Sequence, residues 1–249
     1  MKNIGSADNP EIKRLVSLHQ PKGRQEHRCF IAEGWRTITT LLAGNMTIAG
    51  IYVTEDLVPQ AQETFKKREL TIVSLALMRK ISQATTPSGV LAVFYMRPNP
   101  AADAMGAGLV LANISDPGNM GTLIRTAVAM NIDTVVIVEG TDPWSHKVVQ
   151  ATAGTIAQVK LYQTSWYQLL RTKGARKLYA LIPAGGKNIE KTKCNDGLLV
   201  IGNEAHGLPD EWADQCEERV TIPMSGKAES LNAAIAGSIA AYVAFGRKA

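Results

Sequence analysis

The chain has few cysteines and histidines, and none is placed to build a crosslinked scaffold or a zinc centre. Its three cysteines, Cys29, Cys194 and Cys216, are odd in number and far apart, which argues against a disulfide framework and against CxxC-type thiolate ligation. The four histidines, His19, His27, His146 and His206, form no close pair, so no metal is expected. GxGxxG is missing, as is any other Gly-rich phosphate loop; a nucleotide-dependent enzyme of doubly wound type would be expected to carry one. The longest apolar run, residues 231–245, is interrupted by Asn232, Gly237 and Ser238 and falls short of the roughly 20 residues that span a bilayer. The opening MKNIGSADNPEIKRL is charged where a signal peptide needs an apolar core, so a cytoplasmic protein without a membrane partner is expected.

What is present is enough for two folded units. A chain of 249 residues exceeds the usual single domain of about 100 to 200 residues. Charge divides it further: residues 1–98 hold 13 Lys and Arg against 8 Asp and Glu, while the remainder holds 14 of each sign. The whole positive excess therefore lies in the first part. Lys13, Arg14, Lys22, Arg24, Arg28 and Arg36, diluted by Glu26 and Glu33, form the kind of cluster that contacts phosphate. A solvated surface explains the same charge equally well.

Apolar runs within CFIAEG and at residues 51–53, 70–73 and 90–95 alternate with helix-compatible stretches such as PEIKRLVSLH, WRTITTLL, LVPQAQETFKKRE and LALMRKIS, a pattern that predicts a small α/β domain over residues 1–98. RPNPAADAMGAG has the composition of a linker, which places the boundary at 99–108. Beyond it, runs at 109–114, 134–138, 157–162, 177–182, 198–202 and 220–222 are each followed by a turn and mostly by a helical segment. This predicts a mainly parallel sheet covered by helices over residues 109–249. Ligands of such sheets sit beyond the carboxyl ends of the strands, so the loops there are where chemistry is expected.

Three of those loops are unusual. In DPGNMGTLIRTA, residues 116–127, Asn119 suits a helix cap, Arg125 falls in the second turn, and Gly121 lies four residues before it on the same predicted face. In IGNEAHGLP, residues 201–209, Gly202 and Gly207 bracket Asn203 and Glu204, which lets backbone approach a flat ligand. In IPMSGKAESLNAA, residues 222–234, Ser230 suits a cap and Asn232 the first turn of the last helix. That helix carries a stripe of Ala233, Gly237, Ala240 and Ala244, able to pack closely on another backbone. Each loop alone is compatible with ordinary helix starts and turns.

Taken together, the three loops resemble the motifs of the SpoU/TrmH family of RNA 2′-O-methyltransferases, in the same order, over residues 109–249. KGRQEHRCFIAEGWRTITTLL is similar to the start of that family's substrate-binding domain. The resemblance implies a sheet with a trefoil knot, a homodimer, and S-adenosylmethionine as cofactor, held by Gly202, Ile222 and Leu231 with Ile182 and Met224 nearby. It assigns Asn119, Arg125, Glu204, Ser230 and Asn232 to the functional positions, with no metal. In VVQATAGT, Gln150 and Thr152 stand where many relatives have arginine and serine. The implied reaction is methylation of a ribose 2′-hydroxyl, in ribosomal RNA first and transfer RNA next. An inactive RNA-binding or ribosome-associated protein of the same fold is the alternative. Methyl transfer to a hydroxyl needs alignment and either removal of its proton or stabilisation of the developing charge. The family position matching Arg125 is regarded as the base, yet a free guanidinium stays protonated. Two roles follow for Arg125: a desolvated base, or a cation that anchors phosphate and stabilises the alkoxide.

Overall fold

Pro10 at the first helical position and the Asn9 side chain, which accepts the Glu11 amide hydrogen at 2.8 Å, satisfy the start of helix α1 (Pro10–Ser17). Ile12, Leu15 and Leu18 form its buried face. Helix α2 (Pro21–His27) follows at once. A Cβ on Gly23 would overlap the Ser17 carbonyl oxygen, so the glycine that weakens α2 as a helix is what lets it approach α1. The computed structural model describes residues 1–66, 68–227 and 229–246. Its contacts divide them into two units, the first being Met1–Arg97 with Trp144–Ala157, and the second the rest.

In the first unit a short strand β1 (Lys2–Ile4) precedes α1, and α2 is followed by β2 (Cys29–Glu33), α3 (Trp35–Ala43), β3 (Ile48–Val53), α4 (Val58–Phe65), β4 (Thr71–Val73), α5 (Leu75–Ile81) and β5 (Val90–Tyr95). The strands lie in the order β1-β4-β3-β5-β2. Strand β5 runs antiparallel to both its neighbours, and β4 runs parallel to both of its own. One face of this sheet is closed by α1 and α5 in a core that includes Ile12, Leu15, Leu77, Ile81, Cys29, Ile31, Leu91 and Val93.

The second unit opens with β6 (Gly108–Ala112), α6 (Pro117–Ala129) and β7 (Thr134–Val138). The chain then leaves it for α7 (His146–Ala151), which packs with the first unit. Gln150 Nε2 donates to the Glu33 carbonyl at 2.9 Å and Thr37 Oγ1 to Gln150 Oε1 at 3.2 Å. His146 Nε2 lies 3.1 Å from Glu33 Oε1. A Cβ on Gly154, at φ +84°, would overlap the Thr37 carbonyl. The chain returns for β8 (Lys160–Thr164), α8 (Trp166–Thr172), β9 (Leu178–Leu181), β10 (Lys187–Asn188), β11 (Leu198–Ile201), α9 (Asp210–Asp214), β12 (Glu218–Thr221) and α10 (Ala233–Phe245). The order is β10-β12-β9-β11-β6-β7-β8, and every described pairing is parallel. The expected run at 157–162 is displaced: Thr155–Gln158 forms a 3-10 turn and the strand extends to Thr164. The Ala157 carbonyl instead accepts from Arg97 Nη1 at 2.8 Å.

The small residues of α10 turn inward. A Cβ on Gly237 would press on Leu123 of α6 and Ile201 of β11, and Ala240 and Ala241 are fully buried. The stripe therefore packs within the chain, because only small residues allow α10 to sit on both neighbours. The face left exposed carries Ile235, Ile239 and Tyr242, and Leu231, two residues before the helix, is exposed as well. Among the described residues no helix is long and apolar enough to cross a membrane.

Candidate active site

The carboxyl ends of β6 and β11 lie side by side, which brings the loop after each within hydrogen-bond reach. After β11, Asn203 and Gly207 exchange backbone hydrogen bonds at 2.9 and 3.0 Å, with Gly207 at φ +68°. Asn203 Oδ1 accepts the Ala205 and His206 amide hydrogens, and its Nδ2 donates to the Asn113 carbonyl at 2.8 Å. This tight turn projects Glu204 at the other loop. Glu204 Oε2 accepts from Ser115 Oγ at 2.8 Å and Ser115 N at 3.1 Å, and Oε1 accepts from Asp116 N and Asn119 Nδ2, both at 3.0 Å. Partial burial alone would raise the carboxyl pKa, but these donors outweigh it and hold the group at about 2.

The third loop joins through Asn119. Asn232 Nδ2 donates to Asn119 Oδ1 at 3.2 Å, while Asn232 Oδ1 accepts the amide hydrogens of Ala234 and Ile235 at 2.9 and 3.2 Å. Both expected caps are thus shifted. Asp116 caps α6 by accepting from Asn119 N at 2.8 Å, and Asn232 rather than Ser230 caps α10. The reason is local: whichever oxygen-bearing side chain meets the first free amides becomes the cap. Asn119 inside α6 can therefore spend its amide on Glu204 and Asn232.

Beside this network lies a cavity of about 480 Å³. Its walls include all five positions expected to hold a cofactor, Gly202, Ile222, Leu231, Ile182 and Met224, together with Glu204 and Ser230. His206, Asp210 and Arg219 also line it, and Ser115 and Asn203 secure its edge. None of these five is among the positions to which the resemblance assigns a role. Asn203 was within reach, since it stands between Gly202 and Glu204, but only the folded turn shows where its amide points. A Cβ on Gly202 would overlap Leu208 N, so the backbone at the cavity wall needs glycine.

Arg125 lies apart from this cluster. It occupies the third turn of α6 rather than the second, is exposed, and makes no hydrogen bond or ion pair among the described residues. Gly121, one turn before it, is buried, whereas Gly118 and Thr122 on the same side of α6 are exposed. Among the described residues no group of three or more His, Cys, Asp or Glu could hold a metal.

The basic set of the first unit is only partly a surface. Lys13, Lys22, Arg28 and Arg36 are exposed and Arg14 is half-buried. Arg24 is not available for phosphate: it is buried, and its Nη1 donates to the Leu18 and His19 carbonyls at 2.8 and 3.0 Å, the end of α1. A helix end leaves carbonyls without partners, and a guanidinium folded back under α1 supplies them. Glu33 does not dilute the surface charge, since it too is buried. Burial opposes its ionisation, but His146, Ser82 and the Gln83 amide hold its carboxyl below the ordinary range.

Comparison with known proteins matches two parts of the chain to family models. Residues 107–242 match the model of the SpoU rRNA Methylase family, and residues 9–92 match the MRM3-like substrate binding domain. The chain is 29% identical to the 23S rRNA (guanosine(2553)-2′-O)-methyltransferase RlmP of Bacillus subtilis, over 97% of this chain and 98% of that protein. The AdoMet-bound rRNA methyltransferase of Sinorhizobium meliloti superposes with a TM-score of 0.86 at 30% identity, covering 98% of this chain and 97% of that one. The SpoU methyltransferase AviRb of Streptomyces viridochromogenes, at 23% identity and a TM-score of 0.85 over 96% of this chain and 98% of that one, shares the fold. With more than half of its length matched by the family model, the chain belongs to the SpoU rRNA methylase family.

Proposed function

We propose that this protein transfers the methyl group of S-adenosylmethionine to a ribose 2′-hydroxyl of RNA, with ribosomal RNA as the first choice of substrate and transfer RNA the second. The observation that carries this reading is the joining of three loops by Glu204, Asn119 and Asn232 beside a cavity walled by glycine and by both apolar and polar side chains. At about 480 Å³ the cavity falls within the roughly 300 to 1,000 Å³ typical of small-molecule sites. The ribosomal substrate is supported by the relatives, which are named as rRNA methyltransferases.

The residues present fit the cofactor. Ile182, Ile222, Met224 and Leu231 offer apolar contact, and Gly202 lines the same cavity with backbone. When bound, the cofactor supplies an activated methyl group on sulfur. The chain supplies orientation and charge: Ser230 and Asn232 orient the ribose, Glu204 keeps the loops in register, and Arg125 meets the reacting nucleotide as phosphate anchor or proton acceptor.

We also propose that Lys13, Arg14, Lys22, Arg28 and Arg36 contact RNA phosphates, and that the chain works in the cytoplasm without a metal. The carboxyl-terminal segment ending in α10 forms the family's trefoil knot, and two copies pair through the exposed face of α10. That face presents Ile235, Ile239 and Tyr242 one turn apart, apolar side chains of the kind homodimers bury.

The test is to incubate the purified chain with labelled S-adenosylmethionine and ribosomal or transfer RNA. In parallel, 2′-O-methyl sites are mapped in both RNAs from cells with and without the gene. One ribose methylation that disappears with the gene and is restored by the protein is expected. No transfer and no missing site in either RNA would sink the proposal.

A further inference from the structure

Side chains alternate along a strand, so Leu91, Val93 and Tyr95 of β5 share one face. Leu91 and Val93 are fully buried under α1 and α5. Tyr95 is 47% exposed. Its cross-strand partner on that face is Cys29, which is buried in the same core. Tyr95 thus continues the core face past its helical cover.

A single exposed tyrosine is ordinary. This one has two further features. Its ring stacks on no other ring and its hydroxyl makes no hydrogen bond among the described residues. Exposed Tyr167, by contrast, packs against the Arg171 guanidinium 5.5 Å from its ring centre. The second feature is charge. Arg28 immediately precedes Cys29, is exposed, and its carbonyl accepts the Met96 amide hydrogen at 2.7 Å, one residue beyond Tyr95. It closes α2 in the left-handed region at φ +51°, a position where glycine is usual and a larger side chain is strained. An open aromatic ring one ladder step from an exposed arginine has the composition of a single-strand RNA contact, in which a base stacks and a neighbouring phosphate is neutralised.

We infer that Tyr95 is a stacking platform for an unpaired RNA base, with Arg28 meeting a flanking phosphate. The inference rests on the reading that the chain acts on RNA, and it adds which nucleotides the first unit selects: those splayed out of a helix.

The experiment compares full-length wild type with Tyr95→Phe, Tyr95→Leu, Tyr95→Ala and Arg28→Ala. Binding is measured to a single-stranded oligoribonucleotide, a duplex of equal length and a 23S ribosomal RNA transcript across a salt series, with thermal unfolding recorded for each variant. Tyr95→Phe should keep wild-type affinity. Tyr95→Leu and Tyr95→Ala should lose roughly tenfold for the single strand and transcript, with an unchanged salt slope. The duplex should be little affected, and Arg28→Ala should lower the slope by about one. If the alanine variant unfolds, the Phe and Leu pair decides. Wild-type affinity in Tyr95→Leu overturns the platform while leaving the functional reading intact. Failure of the wild type to bind any of the RNAs overturns both.

Discussion

The Glu204 carboxylate accepts four hydrogen bonds from residues 115–119, whereas Arg125, in the third turn of the same α6, accounts for none among the described residues. One group is satisfied before any ligand arrives; the other keeps all its donors. On the proposed function, the difference separates the part of the site that the chain organises for itself from the part that substrate would complete. A carboxylate held by fixed amides needs no rearrangement during reaction, which is what electrostatic preorganisation means. A guanidinium with no internal partner has a planar fork available for phosphate.

The largest expected effect therefore falls on Arg125. Arg125→Ala should reduce methyl transfer by roughly 10² to 10⁴-fold while leaving cofactor affinity, read by calorimetry, nearly unchanged. Arg125→Lys sharpens the division. An ammonium yields a proton more readily but loses the fork. Substantial turnover with a changed pH profile identifies proton transfer as the role, and inactivity with weakened RNA binding identifies anchoring. Near-normal turnover in the alanine variant would remove Arg125 from the site.

Next comes the contrast between the two faces of α10. Its inner face is committed to Leu123 and Ile201, while Ile235 and Ile239 are exposed at 54% and 40%. Ile235→Asp with Ile239→Asp should leave the monomer folded and weaken self-association by about 10²-fold or more, since two carboxylates would have to be buried unpaired. Light scattering over a concentration series checks this. A wild type that is monomeric and fully active under assay conditions removes the dimer from the mechanism.

Glu204→Gln tests the organised side of the comparison. It keeps the shape but turns one acceptor into a donor facing amides, a loss of about 1 to 3 kcal/mol. The pH dependence has a definite sign. The Glu204 carboxyl is lowered from 4.5 to about 2, so its contribution is present above the unfolded value and lost as pH falls from about 4.5 toward 2. The gap in Tm between wild type and Glu204→Gln should be wide at pH 6 and narrow at pH 3. A gap that does not narrow in acid means that the carboxylate charge is not what holds the loops.

How much of this was legible in the sequence depended on distance along the chain. The three loops could be located because each places Gly, Asn or an acid at the end of an apolar run, and Gly202, Ile222 and Leu231 do line one cavity. The caps were misplaced because Asp116 and Asn119, like Ser230 and Asn232, are all good cap formers, and only the first free amide decides between them. The packing of α7 with the first unit rests on Gln150 meeting Glu33 and Thr37 more than 110 residues away, which no local pattern encodes. The same bonds show what Gln150 does, while Thr152 is fully buried, its hydroxyl donating to Val149 O at 2.7 Å and accepting from Gly154 N at 3.2 Å. Arg24 was misread because a charge run does not reveal which guanidinium is turned inward.

That last point gives the smallest and most discriminating pair, Arg24→Ala against Arg36→Ala. Both remove one positive charge from the same basic run, so a purely electrostatic account predicts equal effects. Arg24 is buried on the Leu18 and His19 carbonyls and Arg36 is exposed at the start of α3. Removing Arg24 should leave two carbonyls without their donor and cost about 1 to 3 kcal/mol, a fall in Tm of roughly 2 to 4 °C per kcal/mol for a chain of this size. The salt slope of RNA binding should not change. Removing Arg36 should leave Tm within about 1 °C and lower the salt slope by about one. If Arg24→Ala instead lowers the slope without loss of stability, its guanidinium meets phosphate in the complex and the helix-end role fails. If Arg36→Ala changes neither quantity, the exposed charge at α3 is only a solvated surface.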